Sequence, residues 1–211
     1  MPGARRRLLD GLAQQVGDER VLAALAAVPR EAFVPRSLRA VAWEDRALPI
    51  GEGQTISQPL VVARMCALLE LAGDERVLDV GTGSGYGAAV LGHLAAHVVS
   101  VERLAGLSAD ARRALERAGA RRVELVVGDG FAGWPPRAPY DAVTVGAACP
   151  GAVPRALEEQ LAPGGRLVAP VARRAGDDAQ VLVRVQRHLD GTLEREVLDP
   201  VRFVPLVPGR A

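Results

Sequence analysis

The stretch that most restricts the possible folds is VLDVGTGSGYGAAVL, from Val77 to Leu91. An apolar run that ends in alternating glycines and continues into a helical pattern predicts a β-strand, a tight turn and an α-helix. Such a unit binds a ligand where the strand ends, because glycines let the backbone turn sharply and approach the ligand closely. The chain is therefore expected to contain a parallel sheet with a ligand site at one edge.

Short apolar runs alternate with helical patterns from Glu75 onward, which predicts an α/β fold with a doubly wound, Rossmann-like sheet covered on both faces. The predicted strands are Arg76–Val80, Val98–Glu102, Val123–Val127, Ala142–Val145 and Arg166–Pro170. The predicted helices between them are Tyr86–Ala95, Leu107–Ala118 and Val153–Leu161. After Pro170 the alternation stops, and an LDGT turn between Gln180–His188 and Leu193–Phe203 predicts an antiparallel hairpin.

Helical patterns also precede this core, at Arg5–Val16, at Asp18–Val28 and from Pro59 to about Leu71. Between them lies LPIGEGQTISQP, Leu48 to Pro59, which is too irregular for a helix and too broken for a core strand. We expect one domain over residues 1–211, with an N-terminal helical part (1–72), an α/β core (73–172) and a C-terminal β-hairpin (173–211).

Charge and hydropathy exclude several classes of function. The formal net charge is +1 with acids and bases interspersed, so nothing marks a surface for nucleic acid or an anionic membrane. No apolar run approaches the roughly 20 residues that span a bilayer, and the N-terminus lacks the apolar core of a signal peptide. Cys66 and Cys149 have no metal-ligand spacing and are expected to be buried. We expect a cytoplasmic protein without a metal, with a monomer favoured.

The glycine turn itself, Gly81-Thr82-Gly83-Ser84-Gly85, limits the chemistry of the ligand. A dinucleotide fingerprint can be placed on it, but Asp79 would stand close to the pyrophosphate of a dinucleotide. Strictly alternating glycines are typical of methyltransferases that use S-adenosyl-L-methionine. That cofactor has no phosphate and carries a sulfonium cation, so a nearby carboxylate favours its binding.

Two further acidic residues follow predicted strands. Glu102 ends the second strand, about twenty residues beyond the glycine turn, where a carboxylate can accept hydrogen bonds from both ribose hydroxyls. Asp129 and Gly130 follow the third strand, where an acid can accept from the exocyclic amine of adenine. Because ligands of open α/β sheets bind at the carboxyl ends of the strands, these residues are expected to share one site.

Other polar features give weaker signals. His93, His97 and His188 have no acid or thiol at a spacing typical of a metal site or a catalytic triad. The run PPRAPY, Pro135 to Tyr140, resembles the motif of amino-group methylases, but it precedes the fourth strand, and GAACPG follows that strand. Methylation of a nucleobase amine is therefore disfavoured.

Taken in order along the chain, the motifs resemble those of the protein-L-isoaspartate O-methyltransferase family over nearly the whole sequence. They are VPREAFVP (Val28–Pro35), LPIGEGQTISQP, VLDVGTGSGYGAAVL, GDG, APYDAV (Ala138–Val143), GGRLVAPV (Gly164–Val171) and VRFVPL (Val201–Leu206). The Gln-Thr-Ile-Ser-x-Pro segment is the discriminating one, because generic methyltransferases lack it.

This resemblance implies methyl transfer from S-adenosyl-L-methionine to the α-carboxylate of L-isoaspartyl residues in damaged proteins and peptides, which initiates repair through a succinimide. It implies that Ser57 is the active-site residue. The cofactor residues that it implies are Thr55, Ile56, Gly81 to Gly85, Glu102, Asp129 and Gly130. We expect the acceptor peptide to bind as an extended strand along Phe203, Val204, Pro205 and Leu206.

The sequence departs from the family pattern at Trp43, where the family usually has Tyr, and in the RAL that precedes Pro49. These departures lie on the substrate side and leave the cofactor motifs intact. Two alternatives stay open. One is an enzyme dedicated to an aspartate of one particular peptide, and the other is a cofactor-binding module without catalysis.

Overall fold

The computed structural model of the chain describes residues 2–174 and 179–210. Its α-helices are α1 (Pro2–Ala13), α2 (Glu19–Ala27), α3 (Pro59–Leu68), α4 (Tyr86–Leu94), α5 (Ala105–Ala118) and α6 (Arg155–Glu159). Short 3-10 helices cover Arg30–Phe33, Arg36–Val41, Gly130–Ala132 and Pro135–Arg137. None of the helices in the described residues has the length and apolar character that crossing a membrane requires.

The strands form one large sheet and one small hairpin. They are β1 (Leu48–Gly51), β2 (Gln54–Ile56), β3 (Arg76–Val80), β4 (His97–Glu102), β5 (Val123–Val127), β6 (Tyr140–Val145), β7 (Cys149–Pro150), β8 (Leu161–Ala172), β9 (Gln180–Arg187) and β10 (Leu193–Val201). The large sheet has the order β10-β9-β8-β6-β3-β4-β5, and β7 pairs with β8. Strands β5, β4, β3, β6 and β8 run parallel, whereas β9 and β10 are antiparallel.

This topology confirms the predicted α/β fold with its antiparallel C-terminal hairpin. The chain runs outward from β3 through β4 to β5 and then returns to the other side of β3 as β6, so the strand order reverses between β3 and β6. Open α/β sheets bind ligands at such a reversal, outside the carboxyl ends of the strands. The fold therefore places the glycine turn after β3 at the expected ligand site.

Side chains of the central strands alternate between two hydrophobic cores. Val77 belongs to the core under the N-terminal helices, whereas Leu78 and Val80 belong to the core on the opposite face of the sheet. Because successive side chains of a strand point to opposite faces, Asp79 shares a face with Val77. A carboxylate is thus carried into the apolar layer beneath α3 and α4.

Several element boundaries differ from the sequence-based predictions. Leu48–Ile56 forms an antiparallel hairpin outside the main sheet, with Glu52 and Gly53 at its turn in left-handed conformations (φ of 51° and 68°). Strand β8 begins at Leu161 because Leu161 pairs with Tyr140, which also shortens the predicted helix Val153–Leu161 to Arg155–Glu159.

A glycine pair explains why β8 was predicted too short. Gly164 and Gly165 suggest a turn, yet both lie within the strand, at an irregularity in its pairing with β6. A Cβ on Gly165 would sit 2.8 Å from the carbonyl oxygen of Ala162, so only glycine fits there. The predicted C-terminal region, 173–211, includes residues 175–178 and 211, which lie outside the described residues, and the division into three parts stays a prediction.

Candidate active site

A pocket lies at the carboxyl ends of β3, β4 and β6, between hairpin β1–β2 and the C-terminal segment. Most of the predicted site residues line it: Thr55, Ile56, Ser57, Asp79, Gly81, Thr82, Gly83, Ser84, Glu102, Gly130, Phe203, Val204, Pro205 and Leu206. These residues come from five separate stretches of the sequence, and the fold brings them together around one cavity.

The glycine turn lines this pocket along a backbone path that favours glycine. Gly81, Gly83 and Gly85 have φ of 88°, 54° and 89°, a region that residues with a Cβ rarely adopt. The amide of Gly81 donates to the carbonyl oxygen of Val101 at 2.9 Å, which ties the turn to β4. The alternation of glycines seen in the sequence is therefore a requirement of this backbone.

Glu102 ends β4 beside the turn and is 5% exposed. Its Oε2 accepts from the amide of Gly83 at 2.8 Å, and its Oε1 accepts from the amide of Leu104 at 3.0 Å. The carboxylate is thus fixed by two main-chain donors, and a carboxylate oxygen can accept more than one hydrogen bond. This geometry fits the predicted contact with ribose hydroxyls.

Asp79 is connected to the pocket by a buried chain of hydrogen bonds. The Ser100 hydroxyl donates to Oδ2 of Asp79 at 2.6 Å, and Oγ1 of Thr82 lies 2.6 Å from Oγ of Ser100. Burial raises the pKa of Asp79 to about 7; the hydrogen bond from Ser100 opposes this shift, and the negative charge of Glu102 adds to it. A cation in the pocket would stabilise the ionised form of Asp79.

Two predicted cofactor residues lie behind the pocket wall. Gly85 is the N-cap of α4, and a Cβ there would approach Leu115 to 3.2 Å, so this glycine allows α4 to pack against α5. Asp129 caps a 3-10 helix, with Oδ1 accepting from the amide of Phe131 at 2.9 Å. Direct contact of these two residues with a cofactor stays a prediction.

The C-terminal segment crosses the same end of the pocket. Oδ2 of Asp129 accepts from the amide of Gly209 at 2.8 Å, and Nε of Arg103 donates to the carbonyl oxygen of Gly209 at 3.1 Å. One residue of the segment is therefore held by side chains that follow two neighbouring strands. The predicted adenine contact of Asp129 would share this carboxylate with Gly209.

Ser57 lies directly after β2 on the opposite wall and is partly exposed. The side chain of Ile56 before it is buried in the core under the N-terminal helices, and Pro59 after it begins α3. Because both neighbours are fixed, the serine is held at the edge of the pocket. Its main-chain carbonyl oxygen accepts from Nη2 of Arg30 at 2.8 Å.

The segment Phe203–Leu206 lines the pocket, but part of its main chain is already bonded. The amide of Leu206 donates to the carbonyl oxygen of Ala148, whose own amide donates to the carbonyl oxygen of Val204, each at 2.8 Å. The Gln180 side chain bonds both main-chain groups of Phe203 at 2.7 and 3.0 Å. An acceptor peptide along this segment would have to use its other edge.

Sequence reasoning missed several residues of the wall. Helix α3 contributes Val62, Met65 and Cys66, and the turn after β4 contributes Arg103 and Leu104. The first-turn proline, Pro59, predicted this helix but not which of its residues would line a ligand site. Burial raises the pKa of the Cys66 thiol to about 12, so Cys66 is an apolar wall residue and not a nucleophile.

The side chains and backbone groups that line the pocket indicate which kind of cofactor fits it. Backbone amides and two carboxylates, Asp79 and Glu102, surround the glycine turn, and the adjoining wall contributed by α3 is apolar. Carboxylates disfavour a pyrophosphate but suit a nucleoside that carries a positive charge. Together with the sheet topology, this site defines a class I S-adenosyl-L-methionine-dependent methyltransferase.

Comparison with known proteins places the chain within that class. Residues 4–211 match the family model of Protein-L-isoaspartate(D-aspartate) O-methyltransferase (PCMT), and the chain belongs to this family. A protein-L-isoaspartate O-methyltransferase of Methanoculleus marisnigri is 55% identical over 195 residues, which is 92% of this chain and 86% of the relative.

Solved structures agree on the fold. One protein-L-isoaspartate O-methyltransferase superposes with a TM-score of 0.86 at 30% identity and covers 95% of this chain, while this chain covers 65% of that protein. A Plasmodium falciparum structure, solved in complex with S-adenosyl-L-homocysteine, superposes with a TM-score of 0.82 at 22% identity over 96% of this chain and 98% of its own.

Proposed function

We propose that this chain methylates the α-carboxylate of L-isoaspartyl residues in damaged proteins and peptides, and that Ser57 orients the acceptor. The observation that carries the proposal is the position of Ser57 on the wall of the pocket that also contains the glycine turn and Glu102. Ser57 belongs to the Gln-Thr-Ile-Ser-x-Pro segment, which distinguishes this family from other methyltransferases.

The chemistry requires placement more than activation. When bound, S-adenosyl-L-methionine supplies an electrophilic methyl group on a sulfonium centre. The acceptor carboxylate is already ionised at neutral pH, so the chain needs no general base. Ser57 can donate one hydrogen bond that orients the carboxylate without neutralising it. Hairpin β1–β2, which leads directly into Ser57, forms one wall of the pocket and helps to exclude water.

The other pocket residues are proposed to hold the cofactor. Glu102 would accept from the ribose hydroxyls, and Asp79 would stabilise the positive charge through the buried Ser100 and Thr82 hydroxyls. Thr55 and Ile56 would close the pocket from the hairpin. The hydrogen bonds of Glu102 and Asp79 and the position of Thr55 and Ile56 on the pocket wall support these roles.

Discrimination against ordinary aspartate would come from the distance between the acceptor carboxylate and the peptide backbone. In an isoaspartyl residue the main chain runs through the side-chain carboxyl, so the free α-carboxylate lies one methylene closer to the backbone. An error of about 1 Å in placement can cost on the order of a hundredfold in rate. We therefore expect isoaspartyl peptides of unrelated sequence to be methylated at least about a hundredfold faster than their aspartyl twins.

The test is methyl transfer to such matched peptides by wild type, Ser57→Ala and Ser37→Ala, the last being an exposed serine outside the pocket. Ser57→Ala should lose about tenfold to a thousandfold in turnover with nearly unchanged affinity for S-adenosyl-L-homocysteine, and the control should match wild type. Wild-type turnover in Ser57→Ala would remove this serine from the mechanism.

Two other results would change the proposal. Efficient methylation of one aspartyl peptide, with generic isoaspartyl peptides ignored, would identify a dedicated modifying enzyme. Cofactor binding without any methyl transfer would identify a binding module. We further propose that the protein acts as a cytoplasmic monomer, which sedimentation of the purified protein and cell fractionation would test.

A further inference from the structure

A buried arginine underlies the wall that carries Ser57. Arg30 begins the 3-10 helix Arg30–Phe33 and has an exposed fraction of 0%. Its Nε donates to the carbonyl oxygen of Ala42 at 2.8 Å, and its Nη2 donates to the carbonyl oxygen of Ser57 at 2.8 Å and reaches that of Arg46 at 3.4 Å. The guanidinium thus connects the loop that contains Ala42 and Arg46 with Ser57, which follows β2.

The same guanidinium contacts the helix that follows the glycine turn. Its carbon lies 4.8 Å from the ring centroid of Tyr86, a cation–π distance. Tyr86 is the first residue of α4 and lines the pocket, and its ring also packs edge-on against Phe33 at 5.8 Å. Arg30 therefore contacts both Ser57, which is proposed to orient the acceptor, and Tyr86, which follows the glycine turn of the cofactor pocket.

Stability alone does not explain this arginine. Within the described residues it donates to three main-chain carbonyl oxygens and interacts with the Tyr86 side chain, and its Nη1 is buried without a partner that meets normal hydrogen-bond geometry. Burial lowers the pKa of Arg30, because removing a cation from water disfavours its charged form. An apolar residue of similar volume is often at least as stabilising as a buried charge. The planar fork of donors is what an apolar residue could not supply.

We propose that Arg30 is a positioning residue for methyl transfer, which fixes the main chain of Ser57 relative to the glycine turn. Ser57 is held at its carbonyl oxygen by Nη2, while the carbon of the same guanidinium lies over the ring of Tyr86. Both contacts thereby fix the position of the serine hydroxyl relative to the cofactor pocket. The inference rests on the proposed function, since it requires Ser57 to orient the acceptor.

Arg30→Lys provides the test, because lysine keeps the charge and loses the planar fork. Turnover on an isoaspartyl peptide should fall about tenfold to a hundredfold, whereas the affinity for S-adenosyl-L-homocysteine should stay within about twofold. Arg20→Lys is the matched control, since Arg20 also donates to main-chain carbonyl oxygens, those of Leu71 and Leu94, away from the pocket. This control should keep wild-type turnover.

A purely structural role is separated by two further measurements. Turnover is expressed per site that binds S-adenosyl-L-homocysteine, so partial unfolding does not imitate a lost function. If Arg30 acts through Ser57, then the double variant Arg30→Lys/Ser57→Ala should lose much less than the product of the two single losses. Multiplicative losses would overturn the proposal. Should Arg30→Lys not fold, Arg30→Gln, which keeps two amide donors, replaces it in the same assays.

The outcomes also distinguish this inference from the proposed function. Wild-type turnover in Ser57→Ala refutes the role of Ser57 and the proposal for Arg30 together. An impaired Ser57→Ala beside an unimpaired Arg30→Lys refutes only the proposal for Arg30. Impaired single variants with a non-additive double variant support both.

Discussion

Replacing Asp79 by Asn should make the protein more stable at neutral and alkaline pH while weakening its cofactor site. Asp79 is 6% exposed, and its Oδ2 accepts from the Ser100 hydroxyl at 2.6 Å. Asn has nearly the same shape, and its amide oxygen can still accept that hydrogen bond. The substitution therefore removes a buried charge and leaves the packing in place.

The magnitude follows from the pKa of Asp79, which burial raises from an ordinary value of 3.8 to about 7. Between these values the folded protein binds a proton that the unfolded chain has released, so the free energy of unfolding falls as pH rises. At about 1.4 kcal/mol per pH unit, the whole interval corresponds to about 4 kcal/mol, of which about 3 kcal/mol is lost between pH 5 and pH 8. Above pH 8 this contribution is constant.

Chemical denaturation of wild type and Asp79→Asn from pH 5 to pH 8 measures the difference directly. We expect the advantage of the variant to grow by about 2 to 3 kcal/mol across this range. Calorimetry with S-adenosyl-L-methionine should show wild-type binding becoming tighter from pH 6 to pH 8, since the carboxylate ionises, and no such change in the variant. A pH-independent stability difference would refute the assigned cause.

Two other substitutions test the pocket. Glu102→Gln places an amide donor against main-chain donors, so the affinity for S-adenosyl-L-homocysteine, measured by thermal shift, should fall by at least about tenfold. The control variant Glu116→Gln, at an exposed position, should bind this ligand normally. NAD should stabilise neither variant. Gly130→Ala puts a Cβ 2.6 Å from Cγ1 of Val80 and should lower the free energy of unfolding by about 1 to 3 kcal/mol. Gly11→Ala, where a Cβ meets nothing within 4 Å, should be neutral or stabilising, and equal losses in the two alanine variants would contradict the packing argument.

The sequence was sufficient for the sheet because the relevant signals are local. Arg76–Val80 and Val123–Val127 are short apolar runs next to helical patterns, and both strands have the predicted boundaries. The predicted strand Val98–Glu102 begins one residue earlier, at His97. A short apolar run bounded by helical patterns is marked by its own composition, so its limits can be read without knowing its neighbours.

Elements that depend on distant partners were harder to predict. The hairpin Leu48–Ile56 has few apolar residues, and two glycines and a proline interrupt it, so its strands give almost no periodic signal. Strand β8 was predicted too short because Gly164 and Gly165 suggest a turn, although pairing with Tyr140 extends the strand past them. In both cases tertiary contacts override local preference.

The residues of the candidate site also fall into those that local sequence patterns identified and those that depend on distant partners. Gly81, Gly83 and Glu102 stand at fixed positions after strands, and the fold brings them to one pocket as predicted. Arg30 and Arg103 could not be assigned from the sequence, because their partners, Ser57 and Gly209, are distant along the chain. Their functional contacts exist only once the topology is known, and the roles of all these residues stay predictions.

The hydrogen bonds of Arg103 and Asp129 to the main chain of Gly209 affect when the pocket can be completed during folding. The glycine turn and β4 are synthesised early, whereas Gly209 follows the entire antiparallel hairpin β9–β10. A domain generally folds as a unit, so the pocket is completed only when the segment from Phe203 to Gly209 has been added to the chain. Until then Arg103 and Asp129 lack the main-chain partner that Gly209 provides.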